Sequence, residues 1–252
     1  CDIAYYVIVG NSPLAWIPRL KGTRALLNVD GQDWAREKWS GFACWYQRGC
    51  EKIATRTANV IIADAHVIRR RYHDTYGADT VFVPYGANIQ RDERHTALER
   101  WRLQPGRYVL FVGRLVPENA ADLLLRAFRK VRTDMRLAIV GDAPFAEEYK
   151  RKLRAEADDR VVFTGYAFGE DYAQLSSHAC LYVQPSGVDG TRPALLDQMG
   201  FGNRVLVRNS AANLEVIGRC GATFDAQDGE AGLARALQEL LDETRERYRA
   251  AI

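Results

Sequence analysis

The sequence lacks the features that mark several common classes of protein. None of its apolar runs approaches the roughly 20 residues that a membrane-spanning helix needs. No cationic leader precedes a short apolar stretch, so no signal peptide is expected. The four histidines among 252 residues are scattered and show no metal-ligand spacing. These absences disfavour membrane-spanning proteins, secreted proteins and histidine-ligated metalloenzymes.

Cysteine is present, but not in the patterns that build disulfides or zinc sites. The five cysteines, Cys1, Cys44, Cys50, Cys180 and Cys220, form no CxxC motif. Their odd number and wide spacing predict reduced thiols and a cytosolic location. The apolar content of 47% and charged content of 27% are those of an ordinary globular protein.

Two nucleotide-binding signatures are also missing. The absence of G-x-G-x-x-G disfavours a nicotinamide oxidoreductase, and the absence of G-x-x-x-x-G-K-[ST] excludes a P-loop. The net charge of +3 is too small to imply a nucleic-acid partner. Its distribution is uneven: residues 1–105 carry 15 Lys/Arg and 11 Asp/Glu, and residues 106–252 carry 20 and 21. The excess of basic residues in the first part favours binding to an anionic surface or acceptor, with the run RRR at 69–71 as its focus. The plainer interpretation is a solvated helix face.

Short apolar runs alternate with segments of helical periodicity along the chain. Several runs are continuous rather than alternating, as expected for strands buried on both faces. This order predicts an α/β fold with parallel sheets and covering helices. The first series contains IAYYVIV, ALLNV, VIIA and TVFVP; the second predicts strands near 108–112, 136–140, 160–164, 181–184, 204–207 and 222–224.

A polar stretch ending in Pro-Gly, NIQRDERHTALERWRLQPGR, separates the two series. It predicts a boundary between a first domain at 1–95 and a second at 106–252. The first series has only four strands, and the chain begins directly in a strand-like run. The first domain is therefore expected to be truncated, in a piece of a longer protein.

Ligands of open parallel sheets bind outside the carboxyl ends of the strands. Here those ends read Gly113-Arg114, Gly141-Asp142, Gly165-Tyr166 and Pro185-Ser186-Gly187. Glycine lets the backbone bend sharply or approach a ligand closely. The guanidinium of Arg114 could bind a phosphate through two parallel hydrogen bonds. The alternative is an arginine salt-bridged across the domain surface.

The stretch PSGVDGTRPALLDQMGFGNRVLV places carboxylates on both sides of a predicted helix start. Pro193 favours the first turn and Thr191 is a plausible N-cap. Backbone N–H groups at Gly187 and Gly190 and the helix dipole predict an anion site. Asp189 would stand beside that anion, and Asp197 would accept from a diol with both oxygens. The pair suits a nucleotide sugar, whereas a turn residue and a solvent-facing helix residue are the alternative.

The segments YVLFVGRLVPENAADLLLRAF, RLAIVGDAP, RVVFTGY and PSGVDGTRPALLDQMGFGNRVLV resemble the donor domain of GT-B glycosyltransferases of family 4. The resemblance implies two Rossmann-like domains facing a cleft and a nucleoside diphosphate sugar as donor. It also implies that Asp189 faces the transferred sugar, Asp197 holds the ribose hydroxyls, and Tyr166 lies near the base. Arg114 would neutralise the diphosphate. The implied donor site is completed by Gly113, Asn119, Gly190, Thr191 and Arg192.

The first part narrows the resemblance. GNSPLAWIPRL, LNVDGQDWAREKWSGFA, ANVIIADA and VFVPYGAN are similar to the bacterial rhamnosyltransferase branch, which acts in capsule and cell-wall polysaccharide synthesis. This implies dTDP-L-rhamnose as donor, retention of configuration, and a saccharide or lipid-linked saccharide as acceptor. Peripheral contact with the inner membrane surface is the accompanying expectation. No Asp-x-Asp motif is present, so no divalent metal or other cofactor is expected.

Three departures from the family pattern bear on the chemistry. Asn119 follows Glu118 where the family usually has lysine, so one diphosphate cation is lost. Aspartate replaces glutamate at both motif carboxylates. Asp30 ends the strand that usually offers histidine to the donor sugar, which suits a sugar without a 6-hydroxyl. Arg114, Asp189 and Asp30 are the predicted catalytic residues; the alternatives are a non-catalytic nucleotide-sugar-binding protein and a nucleotide-sugar epimerase.

Overall fold

The computed structural model describes residues 1–29, 31, 41–87, 89, 91–187 and 190–250, without the side chains of 245–250. Strands and helices alternate in two parallel sheets, which confirms the predicted α/β class. By contacts, unit 1 comprises Cys1–Gly86, Val188–Arg192 and Ser210–Val216. Unit 2 comprises Ala87–Gly187, Pro193–Asn209 and Ile217–Ile252. The functional division at 1–95 and 106–252 stays a prediction.

Unit 1 is built on a parallel sheet whose strands follow one another in chain order. The strands are β1 (Ile3–Val7), β2 (Arg24–Asn28), β3 (Val60–Ala63) and β4 (Val81–Phe82). The helices are α1 (Phe42–Thr57) and α2 (His66–Tyr76), with 3-10 turns at Val9–Leu14 and Pro18–Lys21. Strand residues Leu27 and Ile61 pack with Cys50 of α1 and with Ile68 and Tyr72 of α2. A small core of its own therefore holds this unit together.

Unit 2 is built on the second parallel sheet. Its strands are β5 (Tyr108–Val112), β6 (Arg136–Val140), β7 (Val161–Gly165), β8 (Leu181–Gln184), β9 (Val205–Arg208) and β10 (Ala222–Phe224). Its helices are α3 (Thr96–Glu99), α4 (Ala121–Lys130), α5 (Glu147–Glu156), α6 (Gly169–Ser177), α7 (Pro193–Gly200) and α9 (Gly229–Ala250). Helix α8 (Ala211–Ile217) belongs to unit 1 except for its last residue.

The strand order of unit 2 is β10-β9-β8-β5-β6-β7. All strands are parallel, and from the boundary between β5 and β8 the strands are added in opposite directions across the sheet. Such a switch point is where open α/β sheets bind ligands. Helices α4 and α9 cover the sheet through Leu124, Phe128 and Leu237, all fully buried. All five cysteines fall in the described ranges and none forms a disulfide. Among the described helices, none combines the length and apolarity that crossing a membrane requires.

Candidate active site

Three strand ends of unit 2 are drawn together by backbone hydrogen bonds. The N–H of Gly113, after β5, donates to the carbonyl of Val140 at 3.0 Å, and that of Gly141, after β6, donates to Gly165 at 2.8 Å. A Cβ on Gly141 would lie 2.0 Å from the carbonyl oxygen of Gly113, and its φ of 127° is open to glycine. Both glycines therefore permit a close approach between neighbouring strand ends.

A cavity of about 330 Å³ opens at this edge of the sheet. Four of the residues predicted to bind the donor line it together: Gly113, Arg114, Tyr166 and Asp197. Ala194, in the first turn of α7, lines it as well, so the start of that helix borders the cavity. The structure thus gathers residues that are up to 84 positions apart in sequence, from 113 to 197.

Arg114 supplies the positive charge of this cavity. Its side chain is exposed, and it is the one cation among the described residues that line the cavity. No described carboxylate lies within ion-pair distance of it, in contrast to the surface salt bridge that was the alternative. Its backbone is fixed, because its carbonyl accepts from the N–H of Val116 at 2.9 Å. A guanidinium that no described carboxylate neutralises, on a fixed backbone, is suited to an anionic ligand.

Asn119 holds the loop that carries Arg114. Its side-chain amide donates to the Arg114 carbonyl at 2.8 Å, and the residue is 7% exposed. The hydroxyl of Ser186, after β8, donates to the carbonyl of Glu118 at 2.7 Å and ties the same loop to the next strand end. In this structure Asn119 positions the arginine loop, while its contact with a donor stays a prediction.

Asp197 differs from the expectation that both of its oxygens would be available. Its Oδ2 accepts from the Tyr172 hydroxyl at 3.0 Å, because folding brings α6 against α7. Gln198 donates to the same hydroxyl at 3.2 Å and to Ser176 at 2.9 Å, and Asn203 donates to Gln198 at 2.7 Å. Oδ1 has no hydrogen-bond partner in the described part of the chain. One oxygen is thus anchored, and one is left for a ligand hydroxyl.

Tyr172 was not predicted as a site residue. Burial raises the pKa of its phenol, and the negative charge of Asp197 raises it further. The hydroxyl therefore keeps its proton at neutral pH and remains a donor to the carboxylate. No property of the sequence stretch GEDYAQL indicates that this tyrosine faces Asp197, since the pair is 25 residues apart.

Two aromatic rings line the cavity. Tyr166 and Phe168 stack with ring centroids 5.7 Å apart and planes inclined by 20°. Both are exposed, at 51% and 76% of their surface. Flat apolar faces of this kind suit a nucleobase. The spacing Tyr-x-Phe directly after a strand end is the signal by which Phe168 could have been found.

Asp142, at the end of β6, is neutralised by the protein itself. Its carboxylate lies 2.7 Å from the Nζ of the buried Lys150, which also contacts Glu147 at 2.6 Å. The hydrogen bond from Lys150 lowers the pKa of Asp142, and the reciprocal bond raises the pKa of Lys150. This ion pair is structural, so the charge of Lys150 is already used by the protein. Among the residues described, Arg114 remains the cation of the cavity.

The predicted anion donors at Gly190, Thr191 and Arg192 lie in unit 1. The N–H of Thr191 donates to Oδ2 of Asp64 at 3.2 Å, and its hydroxyl donates to the Asp64 carbonyl at 3.4 Å. Thr191 is therefore not the N-cap of α7, which begins at Pro193 after Arg192. Asp64 is 3% exposed and follows β3 directly. An N–H expected to be open to a ligand anion is bound here to the protein's own carboxylate.

Gly190 adopts a φ of 109°, a conformation that glycine takes without strain. Arg192 is partly buried. Asp30 and Asp189, two of the three predicted catalytic residues, lie outside the described residues. Among the described residues, no three histidines, cysteines or carboxylates converge as metal ligands.

Comparisons with known proteins extend this geometry. The profile of the family described as "Glycosyl transferases group 1" matches residues 106–243. That of a domain of unknown function, DUF1972, matches residues 14–88. Two of the solved structures that this chain resembles illustrate the fold, at low sequence identity. HepE of Anabaena in complex with UDP and glucose aligns over 97% of this chain and 69% of its own, with a TM-score of 0.81 and 16% identity. Sucrose-phosphate synthase of Thermosynechococcus elongatus aligns over 97% of this chain and 65% of its own, with a TM-score of 0.80 and 19% identity. These likenesses confirm the predicted fold.

Several of the named relatives in sequence are mannosyltransferases. The phosphatidyl-myo-inositol mannosyltransferase of Mycobacterium leprae is 32% identical over 80% of this chain and 54% of its own length. The GDP-mannose-dependent alpha-(1-6)-phosphatidylinositol monomannoside mannosyltransferase of Mycolicibacterium smegmatis is 29% identical over 69% of this chain and 48% of its own. The chain thus spans about half the length of the curated relatives that it matches.

Proposed function

The chain belongs to the glycosyl transferases of group 1, and from that premise we propose that it transfers a sugar from a nucleoside diphosphate sugar to a saccharide or lipid-linked saccharide. The observation that carries the proposal is the cavity of unit 2. There a guanidinium with no ion-pair partner among the described residues, a half-anchored carboxylate and two exposed aromatic rings come together. These groups are complementary to a diphosphate, a ribose diol and a base.

Each predicted donor-binding residue of unit 2 then has a proposed role in the donor complex. Arg114 neutralises the charge that develops on the departing diphosphate, and one such donor contributes roughly 2.7–4 kcal/mol in comparable anion sites. Asp197 accepts from a ribose hydroxyl through Oδ1. Tyr166 stacks against the base, and Gly113 lets the backbone approach the ligand. Asn119 keeps the Arg114 loop in place.

The residues of the resemblance that the cavity does not include complete the proposal. Asp189 and Asp30 would position the transferred sugar and stabilise positive charge on its ring. Backbone donors at Gly190, Thr191 and Arg192 would bind the diphosphate. The Thr191 N–H becomes available to it only when the Asp64 carboxylate releases that N–H.

The proposed reaction retains the configuration at the anomeric carbon. The bond between that carbon and the diphosphate oxygen breaks, and an oxocarbenium-like sugar develops. The acceptor hydroxyl forms the new bond on the same face, and the departing phosphate takes its proton. No protein nucleophile is needed, so catalysis rests on electrostatic stabilisation of the leaving group.

The donor sugar has two candidates. L-rhamnose carried by dTDP is the prediction from the resemblance of residues 1–95. Mannose carried by GDP is the second, because several named relatives are mannosyltransferases and some of these are GDP-mannose-dependent. We propose that residues 1–95 form the acceptor side and 106–252 the donor side, and that the protein acts in the cytoplasm at the inner membrane face.

The test is a donor screen on the full-length protein with dTDP-rhamnose, GDP-mannose and UDP-glucose, measuring nucleoside diphosphate release with and without a saccharide acceptor. A transferase releases the diphosphate at a rate that rises with acceptor. Interconversion of the donor without acceptor would identify an epimerase instead. Tight donor binding with no turnover would identify a non-catalytic nucleotide-sugar-binding protein.

A further inference from the structure

Thr191 is held by Asp64 through two hydrogen bonds within unit 1. Its N–H donates to Oδ2 of Asp64 at 3.2 Å, and its hydroxyl donates to the Asp64 carbonyl at 3.4 Å. Asp64 directly follows β3 and is 3% exposed. The carboxylate therefore extends from the end of a paired strand, and the protein surrounds it closely.

The N–H that donates to Asp64 lies two residues before α7 begins. Pro193, the first residue of this helix, has no N–H of its own. Backbone N–H groups near the start of a helix favour an anion, because the helix dipole is positive there. The carboxylate of Asp64 is such an anion. It occupies, from within the protein, a position at which the sequence predicted a ligand anion.

A diphosphate and the Asp64 carboxylate exclude each other from this N–H. One N–H forms one strong hydrogen bond, and two anions that approach it together repel each other. A diphosphate that binds the Thr191 N–H must displace Asp64, so the loss of the Asp64 contact lowers its affinity. This step rests on the proposed function, in which the Thr191 N–H binds the donor.

A second carboxylate contact of the same kind lies in unit 1 but involves other N–H groups. Oε2 of Glu215 accepts from the N–H of Val67 at 2.8 Å, and Oε1 accepts from the N–H of His66. Arg70, the centre of the basic run at 69–71, lies 3.7 Å from Glu215, so part of the charge of that run is used within the unit. These N–H groups begin α2, and neither belongs to the predicted donor site. Glu215 therefore provides a matched comparison for Asp64.

We propose that Asp64 is an internal competitor of the donor diphosphate. It holds the Thr191 N–H in the unliganded protein and releases it when a nucleoside diphosphate or its sugar binds. Asp64 thereby sets the affinity for the donor. It acts through Thr191 and makes or breaks no covalent bond, so it is a positioning residue. The sign of its effect is diagnostic, because removing a residue that merely supports the site weakens donor binding, whereas removing a competitor strengthens it.

The test is isothermal titration of the full-length protein with dTDP, GDP and UDP and with the matching nucleosides. Asp64→Asn keeps the size of the side chain and removes its charge. We expect it to bind the preferred nucleoside diphosphate about five- to tenfold more tightly than the wild type, because a hydrogen bond to a neutral group is weaker than one to a charged group. Affinity for the nucleoside should not change, since the nucleoside has no phosphate to compete with Asp64.

The control variant is Glu215→Gln, which neutralises the other carboxylate without touching the Thr191 N–H. Its affinity for the nucleoside diphosphate should stay within about twofold of the wild type, as expected for a site that does not share this contact. In steady-state kinetics the donor KM of Asp64→Asn should fall by the same factor as its dissociation constant, with little change in kcat. Displacement of Asp64 affects the bound substrate and the transition state equally, so it changes KM alone.

Unchanged or weaker diphosphate binding by Asp64→Asn, with thermal unfolding like that of the wild type, would overturn the proposal. So would equal gains in affinity for Asp64→Asn and Glu215→Gln, because these would reflect a general loosening of unit 1. Failure of both the wild type and Asp64→Asn to bind any of the three nucleoside diphosphates also contradicts it. Absence of acceptor-dependent turnover counts against the transferase alone, since the titrations contain no acceptor.

A structure of the wild-type protein with its nucleoside diphosphate decides the matter where Asp64→Asn folds poorly. We expect the Thr191 N–H to donate to a phosphate oxygen in that complex, with the Asp64 carboxylate beyond hydrogen-bond distance. A bound complex in which Thr191 still donates to Asp64 rules out the competition.

Discussion

At the scale of single residues, the site depends on which polar groups are already bound by the protein. Lys150 lies near the same sheet edge as Arg114, yet its charge is used by Asp142 and Glu147. Arg114 has no such partner among the described residues. Asp197 has one oxygen bound to Tyr172. Availability, rather than residue type, is therefore the reason that we propose Arg114 and Asp197 as ligand groups.

Arg114→Ala should reduce acceptor-dependent donor turnover at least about tenfold, because charge-assisted bonds to the diphosphate are lost. The turnover of Arg114→Lys should lie between those of the wild type and Arg114→Ala, since lysine keeps the charge but cannot bind the phosphate with two parallel hydrogen bonds. Arg151→Ala, an exposed arginine on α5, is the control. Steady-state kinetics of the full-length protein provide the measurement, and wild-type turnover by Arg114→Ala would remove Arg114 from this role.

Tyr172→Phe should raise the donor KM about three- to tenfold with little change in kcat. The anchoring hydrogen bond to Asp197 is lost, which amounts to roughly 0.5–1.5 kcal/mol of positioning. Tyr149→Phe removes a similar bond, 2.7 Å long, to Asp122 away from the cavity. If both variants shift KM equally, or both leave it unchanged, Tyr172 has no special role in donor binding.

At the scale of elements, the sheet edge depends on glycine where strands converge. Gly141→Ala should destabilise unit 2 by about 3 kcal/mol or more, since its Cβ would collide with the Gly113 carbonyl in a conformation reserved for glycine. The melting temperature should fall by about 6 °C or more. Gly165→Ala, at a φ of 71° with open space around it, should cost only about 1–2 kcal/mol. Equal melting temperatures for the two variants would contradict this account.

Helices α1 and α2 are joined by a polar triad. Arg71 and the Tyr76 hydroxyl both donate to Oε2 of Glu51, each at 2.7 Å. Burial, followed by the hydrogen bond to Glu51, raises the pKa of Tyr76 to about 12. The phenol holds its proton more tightly in the folded state. Its contribution to stability is present in full below pH 10 and lost as the pH rises towards 12.

Tyr76→Phe should therefore reduce the loss of stability between pH 10 and pH 12 by about 1 kcal/mol, a value lowered for partial solvent exposure. Denaturant unfolding of both proteins at neutral and alkaline pH gives the comparison. Absorbance titration of the phenols should show one late-ionising tyrosine in the wild type that the variant lacks. Parallel alkaline stability curves for the two proteins would contradict the assignment.

At the scale of the whole molecule, the proposed reaction draws its electrostatic stabilisation from protein groups. Acceptor-dependent transfer should accordingly be unaffected by excess EDTA, and added Mg²⁺ should not raise it. The measurement is the initial rate of nucleoside diphosphate release by the full-length protein. A rate that falls severalfold with EDTA and returns with Mg²⁺ would assign the diphosphate charge to a metal instead of Arg114.

The fold and part of the site were predictable because they follow from local patterns. Continuous apolar runs predicted all ten described strands within a few residues, since strands covered on both faces must be apolar throughout. Strand ends then indicated Gly113, Arg114 and Tyr166. The partners of Thr191 and Asp197 were not predictable, because Asp64 is 127 residues from the first and Tyr172 is 25 from the second.

The sequence by itself determined the parallel α/β architecture, the position of its strands and the glycines at their carboxyl ends, because each depends on burial or backbone freedom at nearby positions. Only the tertiary structure decided that Asp64 accepts the hydrogen bond from the Thr191 N–H, that Tyr172 donates to Asp197, and that the aromatic side of α1 faces outwards. Hydrogen-bond partners and the buried face of a helix are set by distant residues that meet only on folding.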